Sequence, residues 1–390
     1  MKVMTHFGSA GLRVTAALGA AATAAAAAVV LAGPASAAVA DQHSPGGAGG
    51  VVFVQTDNTA GNQVIAYDRS AGGTLRQSGT YPTGGLGGQT GGSGADHLSS
   101  QGSLGYDPSR ALLYAVNAGS NTVSVFSVSG DRLGLRQVIG SGGTFPVSVA
   151  VRGDLVYVLN AENGGAVQGY RVFLGRLFPI PGANRPLGLD PTATPQFTHT
   201  PGQVAFSPGG SQLIVTTKAN GNDIDVFGIG AGGGLSAQPV VNSEPGTIPF
   251  GVTFDPAGHL VVAETGINAV VTYALNRDGT VTLIDAVPSG QAATCWVASD
   301  GNLLFASNAG SSTESGYSVS ASGQLTLLGQ TPTDPGTTDA AVTPDGRFLY
   351  VQTGTNGIVD EFAVNPGGSL TEVGSVTVPG AVGGEGIVAS

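Results

Sequence analysis

One sequence pattern recurs seven times along the chain and limits the possible folds more than any other feature. Each copy consists of an apolar run, a short polar turn and a second run in which apolar and polar residues alternate. The copies begin at Val51, Leu112, Leu155, Leu213, Leu260, Leu303 and Phe348. Successive starts are 61, 43, 58, 47, 43 and 45 residues apart, so the common period is about 44 residues. A period of this length is typical of the four-stranded blades of a β-propeller.

Two further strands flank each pair and complete a four-stranded unit, with strands A to D from the inside outward. Strand A is a short apolar run that ends in Pro, Asp or Gly, as in GSLGYDP and AAVTPDG, and these residues favour a tight turn into strand B. Strand D follows a glycine-containing turn, as in VTLIDAV. The first copy has no strand A before it, but Glu385 to Ser390 at the C-terminus have the sequence of one. We therefore predict an all-β, seven-bladed β-propeller whose C-terminal strand closes the N-terminal blade.

Composition supports this fold class against its alternatives. The 65 glycines, 22 prolines and 10% charged residues argue against helical bundles and coiled coils, and 41% hydrophobic residues argue against disorder. A β-sandwich would not repeat a four-stranded unit seven times, and the rungs of a β-helix are much shorter. The two long intervals in the repeat predict insertions near Leu86 to Gln101 and near Pro179 to Pro201.

Residues 1–40 have the organisation of a secretory signal peptide and leader. Lys2 and Arg13 precede an uncharged, alanine-rich stretch, and small residues suitable for cleavage follow it. We expect cleavage and secretion of one propeller domain, residues 41–390, with association with the cell envelope left open. An uncleaved anchor is the alternative, because the apolar stretch is long enough to span a bilayer. After cleavage, no stable membrane insertion is expected.

The charge balance limits the partners of the mature chain. Without the leader, 12 basic residues face 25 acidic ones, a net charge of −13. Such a surface disfavours phosphate-backbone contacts, so nucleic acid is not an expected partner. The single cysteine, Cys295, cannot form an intramolecular disulfide and lies in an apolar run beside Trp296. We expect a buried thiol, no metal site, no cofactor and a monomer.

Two segments carry a family resemblance. LYAVNAGSNTVSVF from Leu113 and VTPDGRFLYV from Val342 resemble the blade repeats of lactonase-type seven-bladed propellers. That group is similar to 6-phosphogluconolactonase and carboxymuconate cyclase and overlaps the YVTN repeats of surface-layer proteins. The resemblance covers residues 51–390 and implies a lactone or another carbohydrate-derived small molecule as ligand. It rests on scaffold residues, so it indicates the fold more strongly than an activity.

Polar residues at the channel mouth are the candidates for ligand binding. In a propeller, the B–C turns and the loops entering each strand A meet there, and the candidate residues at these positions are Asn117, Asn160, Glu162, Lys218, Asn308 and Asp339. Asparagine also tolerates left-handed backbone and bonds turn amides, so a role in the turn is the alternative for the three asparagines. A solvated rim charge is the alternative for Glu162, for Lys218 and for Glu264 at the equivalent position of the fifth repeat.

The resemblance also implies a catalytic set. Catalytic members of the family carry an Arg-His pair entering a strand A and a glutamate after the following strand B. Here Glu264 matches the glutamate, but Phe250-Gly251 replaces the basic pair. The hydrolase hypothesis therefore takes Glu264 as base, assisted by His199 or His97, and favours a neutral sugar lactone or related cyclic ester over a phosphorylated one. A non-catalytic extracellular or cell-surface propeller that binds a ligand or protein on its ring face is the open alternative.

Overall fold

The computed structural model describes residues 49–390, and the predicted leader, residues 1–40, lies outside the described residues. Seven antiparallel four-stranded sheets form the blades of a propeller around a common axis, as predicted. The strands of blades 1 to 3 are β1 (Val51–Gln55), β2 (Gln63–Arg69) and β3 (Leu75–Pro82); β4 (Leu104–Asp107), β5 (Leu112–Asn117), β6 (Thr122–Ser129) and β7 (Arg132–Gly140); and β8 (Pro146–Arg152), β9 (Leu155–Asn160), β10 (Ala166–Phe173) and β11 (Arg176–Pro186).

Blades 4 to 7 follow in the same way. Their strands are β12 (Val204–Phe206), β13 (Gln212–Thr216), β14 (Asp223–Gly228) and β15 (Val240–Ser243); β16 (Pro249–Phe254), β17 (Leu260–Glu264), β18 (Ala269–Leu275) and β19 (Val281–Pro288); β20 (Thr294–Asp300), β21 (Leu303–Asn308), β22 (Thr313–Val319) and β23 (Leu325–Pro332); and β24 (Thr337–Val342), β25 (Phe348–Thr353), β26 (Ile358–Val364) and β27 (Leu370–Thr377). The short helix α1 (Gln196–His199) and two 3₁₀ turns, Ala118–Ser120 and Lys218–Asn220, lie in connecting segments.

The last strand, β28 (Ile387–Ala389), closes the ring. It pairs antiparallel with β1, with Ile387 opposite Val54 and Ala389 opposite Val52, and becomes the innermost strand of blade 1. The amide of Ser390 extends the ladder with a 2.8 Å bond to the carbonyl of Val51. This pairing confirms the predicted closure of the N-terminal blade by the C-terminal strand.

The hydrophobic core lies between the faces of neighbouring blades, because the B strands are apolar on both sides. Strands β1, β5, β17 and β25 are buried at every position, whereas outer strands such as β27 alternate between inward and exposed residues. Buried tyrosines also join adjacent blades: Tyr157 donates to the carbonyl of Gly233 (2.6 Å), and Tyr350 donates to that of Gly73 (2.7 Å). These bonds satisfy the phenol groups that burial would otherwise leave unpaired.

Several inner strands begin with a β-bulge at the end of the propeller that holds the B–C turns. The register shifts between Pro249 and Val252 in β16, between Thr294 and Trp296 in β20, and between Thr337 and Ala340 in β24. A bulge leaves extra residues unpaired and redirects their side chains. The bulged residues include Phe250, Gly251, Cys295 and Asp339, so this irregularity determines what the mouth of the axis contains.

Candidate functional site

Residues 83–103 connect β3 to β4 and contain the first predicted insertion, Leu86 to Gln101. Residues 86–103 fill the mouth of the axis, and we call this segment the plug. The plug contacts each of the six other blades. Ser100 Oγ donates to the carbonyl of Val147 in blade 3 (2.9 Å), and the backbone amide of His97 donates to the carbonyl of Gly383 before β28 of blade 1 (2.8 Å). Gln101 bonds two further blades. Its backbone amide donates to the carbonyl of Gly202 before blade 4 (3.1 Å), and its side-chain Nε2 donates to the carbonyl of Val297 in blade 6 (2.9 Å). In blade 7, Gly354 lies so close that a β-carbon there would overlap the carbonyl of Ala95.

The contact with blade 5 explains the residues that replace the family's basic pair. A β-carbon at Gly251 would overlap Gln101 Oε1 and lie 2.8 Å from the carbonyl oxygen of Cys295. The neighbouring Phe250 ring is buried and packs edge-on against Trp296, with ring centroids 5.0 Å apart. The indole Nε1 of Trp296 donates to the carbonyl of Ser100 (2.6 Å). Glycine is therefore required where the plug crosses the axis, and no long basic side chain fits there.

Lys218 ties the plug to residues 187–203, the connection between β11 and β12, which we call the second insertion; it begins later than the predicted Pro179 because β11 runs to Pro186. Its side chain is 1% exposed, and Nζ donates to the carbonyls of Ser99 (2.6 Å) and Phe197 (2.7 Å) and to Thr200 Oγ1 (3.0 Å). The ammonium also lies 5.0 Å from the centre of the Phe250 ring. Burial lowers the pKa of Lys218 to about 7, and nearby Asp96 opposes this shift. The structure thus places Lys218 as an internal anchor rather than as a residue exposed on the rim.

Three buried carboxyl groups, those of Asp57, Asp339 and Glu385, lie around the plug, and a fourth, that of Asp96, belongs to it. Burial raises the pKa of Asp57 and of Asp339 to about 7 and that of Asp96 to about 6. Burial and the three neighbouring carboxylates raise the pKa of Glu385 well above its usual range. Asp96 caps the plug by accepting from the amides of Leu98 (2.9 Å) and Ser100 (3.0 Å). Within residues 49–390, no three His, Cys, Asp or Glu side chains are arranged to hold a metal ion.

The three predicted asparagines bond within and beside their own turns. Asn117 Nδ2 donates to Ser124 Oγ (2.8 Å), and Asn308 Oδ1 accepts from Thr294 Oγ1 (2.6 Å). Asn160 Nδ2 donates to the carbonyl of Ser141 (3.1 Å), while its buried Oδ1 has no partner. Left-handed backbone occurs later in these three turns, at Asn121, Asn163 and Ser312. The side-chain amides of Asn117 and Asn308 therefore stabilise the B–C turns through hydrogen bonds.

Glu264 and His97 lie in separate surroundings. Glu264 ends β17, is 1% exposed and accepts a 2.5 Å hydrogen bond from the Tyr273 hydroxyl. Burial raises its pKa to about 7. His97 packs on the backbone of Gly383, and its Nδ1 is buried without a hydrogen-bond partner; burial lowers its pKa. Within residues 49–390, Glu264 makes no hydrogen bond to His97 or His199.

His199 and Glu162 line the same small surface pocket, whose cavity volume of about 20 Å³ has room for about one water molecule. The pocket lies between the β9–β10 turn, the second insertion and the β13–β14 turn; its polar lining residues are Glu162, Asn163, Asp190, Gln196, His199, Thr200 and Asn220. Gln196 joins the pocket to the plug, because its Nε2 donates to Glu162 Oε1 (3.1 Å) and its Oε1 accepts from the amide of Gly91 (2.7 Å). Asn220 Nδ2 donates to the carbonyls of Asp190 and His199, both at 2.8 Å, and holds two walls together.

The hydrogen bonds of His199 determine which of its nitrogens is basic. Nδ1 lies 2.9 Å from the carbonyl of Pro195 and 2.9 Å from Thr198 Oγ1. A carbonyl can only accept, so Nδ1 carries the proton of the neutral ring and Nε2 carries the lone pair. Hydrogen bonds from the hydroxyl and amide of Thr192 lower the pKa of Asp190, and His199 adds to this effect. The pocket therefore combines an imidazole base with an ionised carboxylate.

Comparison with known protein families shows which family the chain belongs to. The sequence profile described as "Lactonase, 7-bladed beta-propeller" matches residues 188–383, just over half of the chain. The chain belongs to this lactonase family. No curated protein matches the chain. Within residues 49–390, no helix is long and apolar enough to cross a membrane.

Solved structures show the same fold at low identity to this lactonase-family chain. The periplasmic gluconolactonase PpgL of Pseudomonas aeruginosa is 19% identical, with a TM-score of 0.68 over 87% of this chain and 98% of that one. A protein from Lactobacillus plantarum is 20% identical, with a TM-score of 0.69 over 87% and 99%. A proposed 6-phosphogluconolactonase from Bacteroides fragilis is 17% identical, with a TM-score of 0.67 over 87% and 97%. At these identities the likeness shows the fold alone.

Three residues of the site were not among the candidates from the lactonase-type repeat. Asp190 and Asn220 line the pocket, and Asp96 stabilises the plug. Asp190 and Asp96 lie in insertions, outside the repeat, so no equivalent position in another blade marks them. The signal that could have drawn attention to them was the presence of acidic residues in two long connections of a chain with few charges.

Proposed function

We propose that the protein is an exported lactonase-type hydrolase that opens a neutral sugar lactone or related cyclic ester in the pocket of His199. The observation that carries this proposal is the grouping of His199, Glu162 and Asp190 in one pocket at the end of the propeller that holds the B–C turns. Glu264, the base suggested by the family pattern, is buried against Tyr273.

The chemistry follows from the basic nitrogen of His199. Nε2 takes a proton from water while the water oxygen attacks the lactone carbonyl, which forms a tetrahedral intermediate. Collapse of the intermediate breaks the ring C–O bond, and the imidazolium returns the proton to the leaving alkoxide. The product is the open-chain hydroxy acid. Within the described residues, Asp190 makes no hydrogen bond to His199 but stabilises the transient imidazolium through its negative charge alone.

The charges of the pocket favour a neutral substrate. Glu162 and Asp190 are carboxylates, and no Lys or Arg lines the pocket. A phosphorylated lactone would meet repulsion from both side chains and from the net negative charge of the domain.

Export is part of the proposal and rests on two supports. The first is the signal-peptide organisation of residues 1–40. The second is the similarity in fold to a protein described as a periplasmic gluconolactonase. Association with the cell envelope is compatible with both.

A second function, ligand binding without catalysis, is favoured by the plug. The plug fills the axial mouth, and Phe250 and Gly251 stand where catalytic members of the family have a basic pair. A propeller closed in this way could bind a carbohydrate-derived ligand on its rim without hydrolysing it.

The test is hydrolysis of glucono-1,5-lactone and its 6-phosphate by residues 41–390, with spontaneous hydrolysis as the blank. His199→Asn keeps a donor toward the Pro195 carbonyl but lacks the base, so we expect a rate at least about 100-fold lower. Glu264→Gln is the matched control and should retain activity. Loss in Glu264→Gln with activity kept in His199→Asn would move the base to Glu264. Saturable binding of the unphosphorylated lactone, by calorimetry, with rates equal to the blank would support the binding function instead.

A further inference from the structure

The turn between β10 and β11 in blade 3 carries large apolar side chains into solvent. Phe173 is 62% exposed, Leu174 is 76% exposed, and Phe178 on β11 is 49% exposed. We call these three residues the apolar tip. The rings of Phe173 and Phe178 contact each other, with centroids 6.4 Å apart. The neighbouring Val172 and Leu177 point into the core, so the strand register directs the apolar tip outward.

The other six C–D turns show that the fold does not require this composition. They are built mainly from glycine and small or polar residues and span residues 70–74, 130–131, 229–239, 276–280, 320–324 and 365–369. None of these six turns, all within the described residues, carries an exposed large apolar side chain; exposed leucines in other blades, Leu135, Leu283 and Leu328, lie on the D strands beyond the turns. The apolar tip is therefore an addition to a turn that smaller residues can form, and its exposure has a cost in water.

Positive charge accompanies the apolar tip on an otherwise acidic domain. Six of the 12 basic residues of the mature chain lie in residues 132–185, and two of them, Arg136 and Arg176, lie beside the apolar tip, whereas Arg185 lies at the opposite end of β11. Arg136 reaches across from blade 2 and donates to the carbonyl of Leu174 (3.4 Å), and Arg176 lies opposite Phe173 in the ladder. Of the acidic groups nearby in sequence, Asp154 is paired with Arg171, Asp131 lies in the turn of blade 2, and Glu162 is at the other end of its blade.

We propose that the apolar tip inserts into the surface of an anionic membrane while Arg136 and Arg176 contact its headgroups. Exposed Phe and Leu beside arginine match the two requirements of interfacial binding, which are apolar burial and attraction to anionic lipid. A tip of three side chains is too small for a stable protein interface, which buries about 800 Å² on each partner. The acidic remainder of the domain is screened beyond about 8–10 Å, so the local arginines dominate at contact.

The topology adds a consequence for orientation. C–D turns and B–C turns lie at opposite ends of a blade, because strand C separates them. Docking through the apolar tip therefore leaves the His199 pocket facing the solution. The proposal does not depend on the identity of the pocket's ligand.

The experiment is co-sedimentation of residues 41–390 with phosphatidylcholine vesicles, with and without phosphatidylglycerol. We expect binding to the anionic vesicles that weakens with added salt. The double variant Phe173→Ser, Leu174→Ser should lower binding at least about tenfold, and Arg136→Gln with Arg176→Gln should abolish the preference for anionic lipid. Leu283→Ser is the matched control, because Leu283 is an exposed apolar residue (61%) on blade 5.

Two results would overturn the proposal. Absence of wild-type binding to anionic vesicles is the first, and an equal loss in Leu283→Ser is the second. Sedimentation velocity without lipid distinguishes membrane binding from self-association through the apolar tip. Self-association that the double variant removes, together with no vesicle binding, would assign the apolar tip to a protein contact instead.

Discussion

Replacement of Glu385 by glutamine should stabilise the protein at neutral pH, because the fold favours the protonated form of this carboxyl group. Ser100 Oγ lies 2.9 Å from the carbonyl of Val147 and 3.1 Å from Glu385 Oε2. A hydroxyl has one proton, and the carbonyl can only accept, so both bonds form when Glu385 donates to Ser100 Oγ. A glutamine amide donates at the same place, and its oxygen can still accept from the Ser103 amide, which lies 3.1 Å from Glu385 Oε1.

The magnitude follows from linkage between protonation and folding. Burial raises the pKa of the neighbouring Asp339 from 3.8 to about 7 and raises that of Glu385 well above its usual range. Above the usual pKa of a glutamate, the folded state therefore holds more of this proton than the unfolded state does. The free energy of unfolding of the wild type falls as the pH rises, by at most about 1.4 kcal/mol per pH unit from one such group. The variant has no such loss, so its advantage over the wild type should grow with pH, by at most about 2 °C in Tm per pH unit for a domain of this size.

Thermal and urea denaturation at pH 5, 6 and 7 would measure this gain. We expect Glu385→Gln to match the wild type near pH 5 and to exceed it increasingly toward pH 7. Glu372→Gln, a change of the same type at an exposed position on β27, should follow the wild type at all three pH values. A gain that does not change with pH, or a variant that is less stable at pH 7, would refute the protonated state of Glu385.

Two further substitutions test how the plug is held. Gly251→Ala should lower Tm by several degrees because its β-carbon would overlap Gln101 Oε1, whereas Gly61→Ala, with nothing within 4 Å, is the control; equal shifts would contradict the close approach. Lys218→Met leaves buried carbonyl groups without a donor and should cost about 3 kcal/mol. In hydrogen exchange, the plug amide of Gln101 should lose protection while the blade strands keep theirs, and unchanged exchange would show that Lys218 is not the anchor.

The blades could be predicted from the sequence because each repeats one local rule. The same unit recurs seven times: an apolar strand, a turn with glycine or asparagine, and an alternating strand. Strand β28 supplies the inner strand that the first blade otherwise lacks. One boundary was wrong. The insertion predicted from Pro179 begins instead at residue 187, because β11 runs to Pro186. An outermost strand tolerates proline, since one of its edges needs no hydrogen-bond partner.

The plug and the pocket could not be predicted in the same way. The plug is rich in glycine and serine and has no apolar period, so its sequence indicates only an insertion. Its position depends on partners far away in the chain: Lys218 is 119 residues from Ser99, and Glu385 is 282 residues from Ser103. The bulges that redirect Phe250 and Asp339 arise from pairing between strands rather than from local composition. Glu162 and His199 were recognised as candidates, but the pocket that joins them depends on the path of the second insertion.

The bonds of the plug across the axis also bear on how the propeller comes apart. Repeat proteins whose units touch only their neighbours can lose units one at a time. Here one segment of blade 2 is joined directly to blades on the far side of the ring, such as blade 6 through Gln101 and Val297. Opening any blade therefore breaks a contact with the plug and weakens its attachment to the other blades. Seven similar modules should therefore melt in a single cooperative transition, as one thermodynamic unit.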